Sequence, residues 1–166
     1  YNHIPGDGRE MVITVPDAVS VPAEPGRCVQ RVDISPFVHR HPACANTHAF
    51  TSPAADAVAA QSAATVEMLE AGARVLLFEE AESAPQFLCG DSRVDRLLQS
   101  ETPSMTPLVH QVRRLVNEMG ISLVLSGGTT LAEFVPFANR IFLVEDFAVR
   151  DATEEIKKRV AEFGKP

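Results

Sequence analysis

The sequence contains little of what marks membrane, secreted or strongly basic proteins. Among its 166 residues there are three Cys, one Tyr and no Trp, and 15 Lys and Arg stand against 22 Asp and Glu, a net charge of −7. No apolar run approaches the roughly 18 to 20 residues of a membrane-spanning helix, so no membrane association is expected. The acidic balance argues against a surface that coats nucleic acid generally, although it leaves room for a local basic patch.

Cysteine usage and the first residues bear on compartment and completeness. Cys28, Cys44 and Cys89 lie far apart without a CxxC pair. This predicts reduced thiols in an intracellular compartment, cytoplasmic or mitochondrial, rather than a disulfide framework. The first residues have neither the basic nor the apolar stretch of a signal peptide, and they include no initiating Met. We therefore expect an excised piece of a longer chain, with its true N-terminus upstream.

The first third of the chain is rich in Pro and Gly and lacks helical periodicity. Glu10–Val15 and Arg27–Val32 each have the composition of a strand, and Val21–Gly26 supplies a Pro/Gly turn between them. We predict an antiparallel hairpin here and assign residues 1–52 to a small β-rich flap or subdomain.

Residues 53–166 alternate between helix and strand patterns, which predicts an α/β fold with a parallel sheet and flanking helices. The predicted helices cover Ala54–Ala71, Thr106–Met119, Leu131–Ala138 and Thr153–Phe163. The predicted strands cover Arg74–Phe78, Ile121–Leu125 and Arg140–Val144. The first of these strands is apolar on both faces, as in the centre of a covered parallel sheet.

Two adjacent glutamates, Glu79 and Glu80, follow this central strand. Ligands of open parallel sheets gather at the carboxyl ends of the strands. An apolar strand with acidic residues at its exit is the Walker B arrangement of P-loop NTPases, in which one carboxylate holds Mg²⁺ and the next polarises the attacking water. The plainer alternative is that two glutamates end a strand in solvent.

The companion phosphate-binding loop is not found in this sequence. A Walker A loop needs G-x-x-x-x-G-K-[ST], and the Lys residues, Lys157, Lys158 and Lys165, stand outside any such frame. Backbone N–H groups in the turn Ser126–Thr130, which contains Gly127 and Gly128, can bind an anion. Without a Lys, an ordinary strand-to-helix turn is the favoured interpretation.

A stretch of His and Cys in the first third has a spacing that allows a metal site. It comprises His39, His41, Cys44 and His48. The spacing is irregular and no second pair follows, so a surface loop with scattered His and Cys is favoured.

Three segments together resemble a known family. Tyr1–Glu10 (YNHIPGDGRE), Val32–Phe37 and Leu69–Leu77 closely match the predicted ATPases of the ABC class, which are distinct from the transporter cassettes. Weaker likeness continues through most of the chain. The resemblance implies a P-loop NTPase-type core with its Walker A piece upstream, ATP and Mg²⁺ as ligands, and a homodimer that completes each nucleotide site. RNA-associated members in kinetoplastid mitochondria imply single-stranded RNA or a ribonucleoprotein as a further partner.

The resemblance also assigns roles to single residues. Glu79 takes the Mg²⁺ position and Glu80 the catalytic, water-polarising one. The remaining nucleotide-site positions fall on Asp56 and Gln61 of the signature helix, Ser83 in the loop between sites, Ser35 in a segment that couples nucleotide state to motion, and Gly127 and Gly128.

The departures from the family pattern leave the activity open. Glu79 stands where the family has Asp, and its extra methylene moves the carboxylate outward, which matters for the strict geometry of Mg²⁺. Asp56-Ala57-Val58 replaces the Ser-Gly-Ser core of the signature. One alternative is therefore a nucleotide-binding relative that does not hydrolyse ATP and acts in assembly or regulation. Another is RNA binding through four arginines, Arg93, Arg96, Arg113 and Arg114.

Overall fold

A computed structural model of the protein describes residues 14–90 and 104–163. The strands are β1 (Ala18–Ser20), β2 (Val29–Val32), β3 (Phe50–Ser52), β4 (Val75–Glu79), β5 (Ser122–Ser126), β6 (Phe142–Glu145) and β7 (Ala148–Asp151). The helices are α1 (Ala57–Glu70), α2 (Pro85–Leu88), α3 (Leu108–Arg113) and α4 (Thr153–Phe163). Helical segments of the 3-10 or π type cover Thr47–Ala49, Glu80–Glu82, Arg114–Glu118 and Thr129–Phe137. The predicted motif Tyr1–Glu10 and the arginines Arg93 and Arg96 lie outside the described residues.

The centre of the fold is a parallel sheet with the strand order β1-β4-β5. β4 is its middle strand. Leu76 and Phe78 share one of its faces and are almost completely buried, while Val75 and Leu77 on the other face are partly buried. The predicted α/β fold with a parallel sheet and flanking helices is therefore confirmed. Because β4 and β5 run in the same direction and end side by side at Glu79 and Ser126, their exits form one edge.

Helix α1 follows from an alanine run between two clear boundaries. Gly72, with φ +96°, ends it in a conformation that suits glycine. Its start is three residues later than the predicted Ala54, because the Ala55 N–H and C=O are engaged with the backbone of Arg27 and Gly26 at 2.9 and 2.7 Å. Asp56 then caps the helix. Its buried residues are four alanines, Ala59, Ala60, Ala63 and Ala64, together with the polar Gln61, Ser62 and Thr65.

The predicted hairpin across the turn Val21–Gly26 is wrong for the described residues, because the strands on either side of the turn pair with other strands. β1, just before the turn, pairs in parallel with β4, and β2, after it, pairs antiparallel with β3. Residues 10–13 of the predicted first strand lie outside the described residues, and Thr14 and Val15 are not in a strand. Part of the range predicted as a flap thus joins the main sheet, while the boundary at residue 52 stays a prediction.

The predicted strand Arg140–Val144 is present as β6, but its place as a third parallel strand is wrong in the described part of the chain. It pairs with β7 in a separate antiparallel sheet. Asp146 and Phe147 join the two strands with φ values of 48° and 60°, the backbone of a tight two-residue hairpin turn. That turn reverses the chain at once, so β6 is followed by its own antiparallel neighbour.

The remaining helices agree with the sequence analysis at most boundaries. The predicted helix Thr106–Met119 begins at Leu108, continues past Arg113 as a wider π-helical turn, and stops before Gly120. Thr153–Phe163 has the predicted bounds. Across residues 14–90 and 104–163, no helix combines the length and apolarity needed to cross a membrane.

Candidate functional site

Glu79 presents a carboxylate at the carboxyl end of the central strand. It is the last residue of β4, and its side chain is exposed. The Glu79 side chain makes no hydrogen bond or ion pair with any other residue that the structure describes. Carboxylate oxygens are the hard ligands that Mg²⁺ prefers. The Glu79 carboxylate is therefore available as one ligand for the divalent cation that the sequence predicts, and its metal role stays a prediction.

Glu80, the next residue, is held by the loop that follows β5. One carboxylate oxygen accepts a hydrogen bond from the backbone N–H of Gly128, and the other accepts one from the N–H of Thr130 at 3.1 Å. The Thr130 hydroxyl lowers the pKa of Glu80 most, and the N–H groups of Gly128 and Thr130 lower it further, which together outweigh the opposing effect of desolvation. Glu80 is therefore ionised, with its direction set by the loop after β5.

Gly127 is needed for the close approach of Glu80. Gly127 has a φ of +153°, and a Cβ built on it overlaps the side chain of Glu80. The amide predicted to bind a nucleotide anion, that of Gly128, is here given to the carboxylate of Glu80. Gly127 and Gly128 thus lie beside the candidate site, and their nucleotide contact stays a prediction.

Gln61 and Ser83 lie below this edge, inside the core. Gln61 is fully buried, and its Nε2 donates to Ser83 Oγ at 3.0 Å and to the backbone oxygen of Val21 at 2.9 Å. Its Oε1 accepts a hydrogen bond from the Ala84 N–H at 2.9 Å. The sequence picked out both residues as nucleotide ligands without indicating that they contact each other. In this structure their polar atoms face the protein interior.

Asp56 caps the N-terminus of α1. Its Oδ1 accepts hydrogen bonds from the N–H groups of Val58 at 3.0 Å and Ala59 at 3.1 Å, and its Oδ2 lies 2.6 Å from His41 Nε2. Desolvation acts to raise the pKa of Asp56, but the contact with His41 and the two N–H groups outweigh it and hold the pKa below its ordinary value. Asp at the signature position is thereby explained as a helix cap.

Ser35 lies in a separate polar cluster. Its N–H donates to Asp33 Oδ1 at 2.9 Å, and its hydroxyl lies 3.1 Å from His48 Nδ1. Neither bond reaches the exits of β4 and β5. Of the predicted site residues, the structure brings together Glu79, Glu80, Gly127 and Gly128 at one edge, joins Gln61 to Ser83 beneath it, and bonds Asp56 and Ser35 elsewhere.

The His and Cys residues of the first third do not converge on a metal site. His39 contacts the Thr106 hydroxyl at 2.7 Å, and Cys44 contacts the Asn46 carbonyl at 3.3 Å. Among the described residues, no group of three His, Cys, Asp or Glu side chains is arranged to hold a metal ion. His41 instead supports the Asp56 cap.

Two contributors to these sites were missed by the sequence analysis. Thr130 is the last residue of the predicted turn Ser126–Thr130. A hydroxyl two residues after a Gly pair is a weak sequence signal, and its contact with Glu80 depends on the fold. His41 pairs with Asp56 across 15 positions. No local pattern announces that contact, because it depends on how the loop before α1 folds back.

The chain matches the model of a known protein family. A family model described as ABC_ATPase, P-loop domain, matches residues 1–165. No curated protein matches the chain significantly.

Proposed function

Because this match spans residues 1–165, the chain belongs to the ABC_ATPase family, whose P-loop domain binds nucleotide, and we propose that it binds ATP with Mg²⁺ and hydrolyses it at the exit of β4. The observation that carries this proposal is the pair Glu79 and Glu80 at the end of the central strand. One carboxylate is unengaged by described residues and exposed, and the other is fixed in direction. These are the two roles that phosphoryl transfer to water requires of neighbouring acids.

The protein's own groups at this edge perform separable tasks. Glu79 holds the cation. A carboxylate has about four lone-pair positions, and the N–H groups of Gly128 and Thr130 occupy only part of them on Glu80. A remaining position orients the attacking water and receives its proton. Bound Mg²⁺ would neutralise charge on the phosphates of the nucleotide.

A second copy of the chain completes the nucleotide site in this proposal, as the family resemblance implies. The Asp56 cap makes that site unlike one with a hydroxyl-bearing signature. The N–H groups of Val58 and Ala59 at the start of α1 are already given to the Asp56 carboxylate. A phosphate approaching α1 from the partner would meet a negative charge. Light scattering on the full-length protein with and without ATP tests the dimer, and a mass that stays monomeric under both conditions counts against it.

The negative charge of the Asp56 cap favours a second candidate function. This is nucleotide binding without turnover, in an assembly or regulatory role. To separate the two, calorimetry measures ATP binding and a coupled assay measures hydrolysis on the full-length protein and on Glu80→Gln. Hydrolysis that disappears in Glu80→Gln while ATP still binds supports the enzyme, since removing a general base costs about 10² to 10⁴ in rate. Binding by the wild-type protein without turnover establishes the second candidate.

RNA binding is a further proposal with narrower support. Of the four arginines that predict it, Arg93 and Arg96 lie outside the described residues, and Arg113 lies over the ring of Phe137 at 5.6 Å. An electrostatic RNA surface predicts affinity that falls steeply with salt. The mitochondrial or cytoplasmic location likewise stays a prediction.

A further inference from the structure

The buried side-chain amide of Gln61 joins three segments of the fold. Gln61 lies in the second turn of α1, and both the nitrogen and the oxygen of its amide are engaged. The nitrogen donates to the Val21 carbonyl, just after β1, and to Ser83 Oγ, and the oxygen accepts from the Ala84 N–H. A buried amide whose bonds are all made is fixed in one orientation, because losing any of them leaves a polar group unpaired away from water.

The segment that Gln61 binds is continuous with the turn that carries Glu80. Ser83 directly follows the turn Glu80–Glu82, and its N–H lies 3.3 Å from the carbonyl of Glu80. At the same end of the turn, the Glu82 carbonyl accepts a hydrogen bond of 2.7 Å from the Ala23 N–H, in the chain that leaves β1. The Glu82–Ser83 peptide is therefore hydrogen-bonded through both its carbonyl and its N–H, and Gln61 connects this end of the turn to α1.

We propose that Gln61 is a positioning residue that couples α1 to the Glu80 turn, so that a displacement of α1 redirects the Glu80 carboxylate. This rests on the proposed function, which gives Glu80 its role at the attacking water. α1 has 14 residues and begins at the exposed cap Asp56. A hydrogen-bonded helix moves as a rigid element, and three directed hydrogen bonds transmit its movement where apolar side chains would slide past one another. Coupling between two sites requires an element whose position both sites influence. Here that element is α1, which begins at Asp56 and is bonded to the Glu80 turn through Gln61.

The test compares four variants of the full-length protein. Gln61→Met keeps the volume and removes all three hydrogen bonds, and Ser83→Ala removes one of them. The double variant shows whether the two act through one contact. Thr65→Val is the matched control: Thr65 is a fully buried polar residue of the same helix, and its hydroxyl donates within that helix, to the backbone carbonyl of Gln61 at 2.7 Å.

We expect Gln61→Met to lower kcat for ATP hydrolysis about 10- to 100-fold, the loss typical of a misdirected catalytic group, with KM and ATP affinity within about 2-fold. Ser83→Ala gives a smaller loss, the double variant is no worse than Gln61→Met, and Thr65→Val retains near wild-type kcat. A loss of ATP affinity at constant kcat overturns the proposal, because it makes Gln61 a nucleotide contact. A kcat loss in Thr65→Val equal to that in Gln61→Met also overturns it. If Gln61→Met does not fold, Ser83→Ala decides by the same criteria.

Hydrogen exchange at the Ala84 amide separates this inference from the proposed function. We expect the wild-type protein to change its protection at Ala84 when ATP binds, and Gln61→Met to lose that response while Thr65→Val keeps it. If the wild-type protein does not hydrolyse ATP, or if Glu80→Gln is fully active, the proposed function is refuted. The change in hydrogen exchange at Ala84 on ATP binding then still tests the coupling between α1 and the Glu80 turn. An Ala84 response that is the same in Gln61→Met and the wild-type protein refutes the coupling even where Glu80→Gln abolishes turnover.

Discussion

The N–H of Thr130, at the exit of β5, donates a 3.1 Å hydrogen bond to the carboxylate of Glu80, at the exit of β4. The two residues are 50 positions apart in the chain, and the parallel register of the two strands brings them together. Each strand thus presents a different part of one site: β4 supplies the acidic group, and the loop after β5 sets its direction and its charge state.

Removing the Thr130 hydroxyl is expected to raise the pKa of Glu80 toward its ordinary value. That hydroxyl is the largest cause of the lowered pKa, so Thr130→Val moves the acid limb of the pH–rate profile to higher pH, while Thr130→Ser leaves it in place. Carboxyl carbon NMR checks the same pKa without turnover. The stabilising effect of this contact is fully present above the ordinary value of 4.5 and is lost as the pH falls through the lowered pKa. Equal profiles for the Val and Ser variants would contradict this role of Thr130.

Gly127→Ala is expected to displace Glu80. The new methyl group overlaps the Glu80 side chain in a backbone conformation that disfavours side chains, which costs about 1 to 3 kcal/mol of unfolding free energy. Gly120→Ala is the control, because Gly120 also has a positive φ, +69°, but nothing lies within 4 Å of an added Cβ. Urea denaturation measures both stabilities. We expect lower ATPase activity in Gly127→Ala alone, and an equal loss in both variants would assign the effect to backbone strain.

Asp56 contributes to stability as a helix cap. Asp56→Ala removes the acceptor for the Val58 and Ala59 N–H groups and is expected to lower the unfolding free energy by about 1 kcal/mol, while Asp56→Asn retains most of it. Because the pKa of Asp56 is lowered, the advantage of the wild type over Asp56→Ala narrows as the pH falls through that pKa. Denaturant titrations at neutral and acidic pH measure it. An Asp56→Ala variant as stable as the wild type would show that the cap does not contribute to stability.

The thiols are expected to differ sharply in reactivity. Burial is the main cause that raises the pKa of Cys89 to about 11, with the charges of Glu133 and Glu80 acting in the same direction. Cys28, in contrast, is exposed. Because the thiolate is the reactive form, iodoacetamide under mildly alkaline conditions should modify Cys28 first and leave Cys89 largely intact until the protein unfolds. Rapid modification of Cys89 in the native protein would contradict its burial.

Much of the fold follows from local signals that are strong in this sequence. The apolar run of β4, the alanine run that ends at Gly72, and the charged stretch Thr153–Phe163 each predicted an element of the right type. The sequence also identified Glu79 and Glu80 as the acidic exit of the central strand. These predictions succeed because a continuous apolar run and a glycine stop leave few alternative structures for these segments.

The predictions fail where the outcome depends on distant partners. The β6–β7 turn uses Asp146 and Phe147, and Phe is rare where φ is positive, so the usual Asn-Gly or Asp-Gly signal of a hairpin is missing. Gln61 and Ser83 are polar residues in a family motif, which suggests ligand contact. Their burial against each other depends on how α1 packs on the segment after β4, and no local pattern specifies that packing.

The alanine face of α1 reverses the usual sensitivity of a protein core to mutation. Most core positions are damaged by truncation, which opens a cavity. Ala59 and Ala63 are fully buried and have almost nothing to lose, so enlargement is the damaging change there, because extra methylene groups force a packed helix away from its neighbours. In a saturation scan of α1, the tolerated substitutions at these positions should be confined to glycine and serine. The small side chains on its buried face therefore set the distance between the sheet and α1, the helix that carries Gln61.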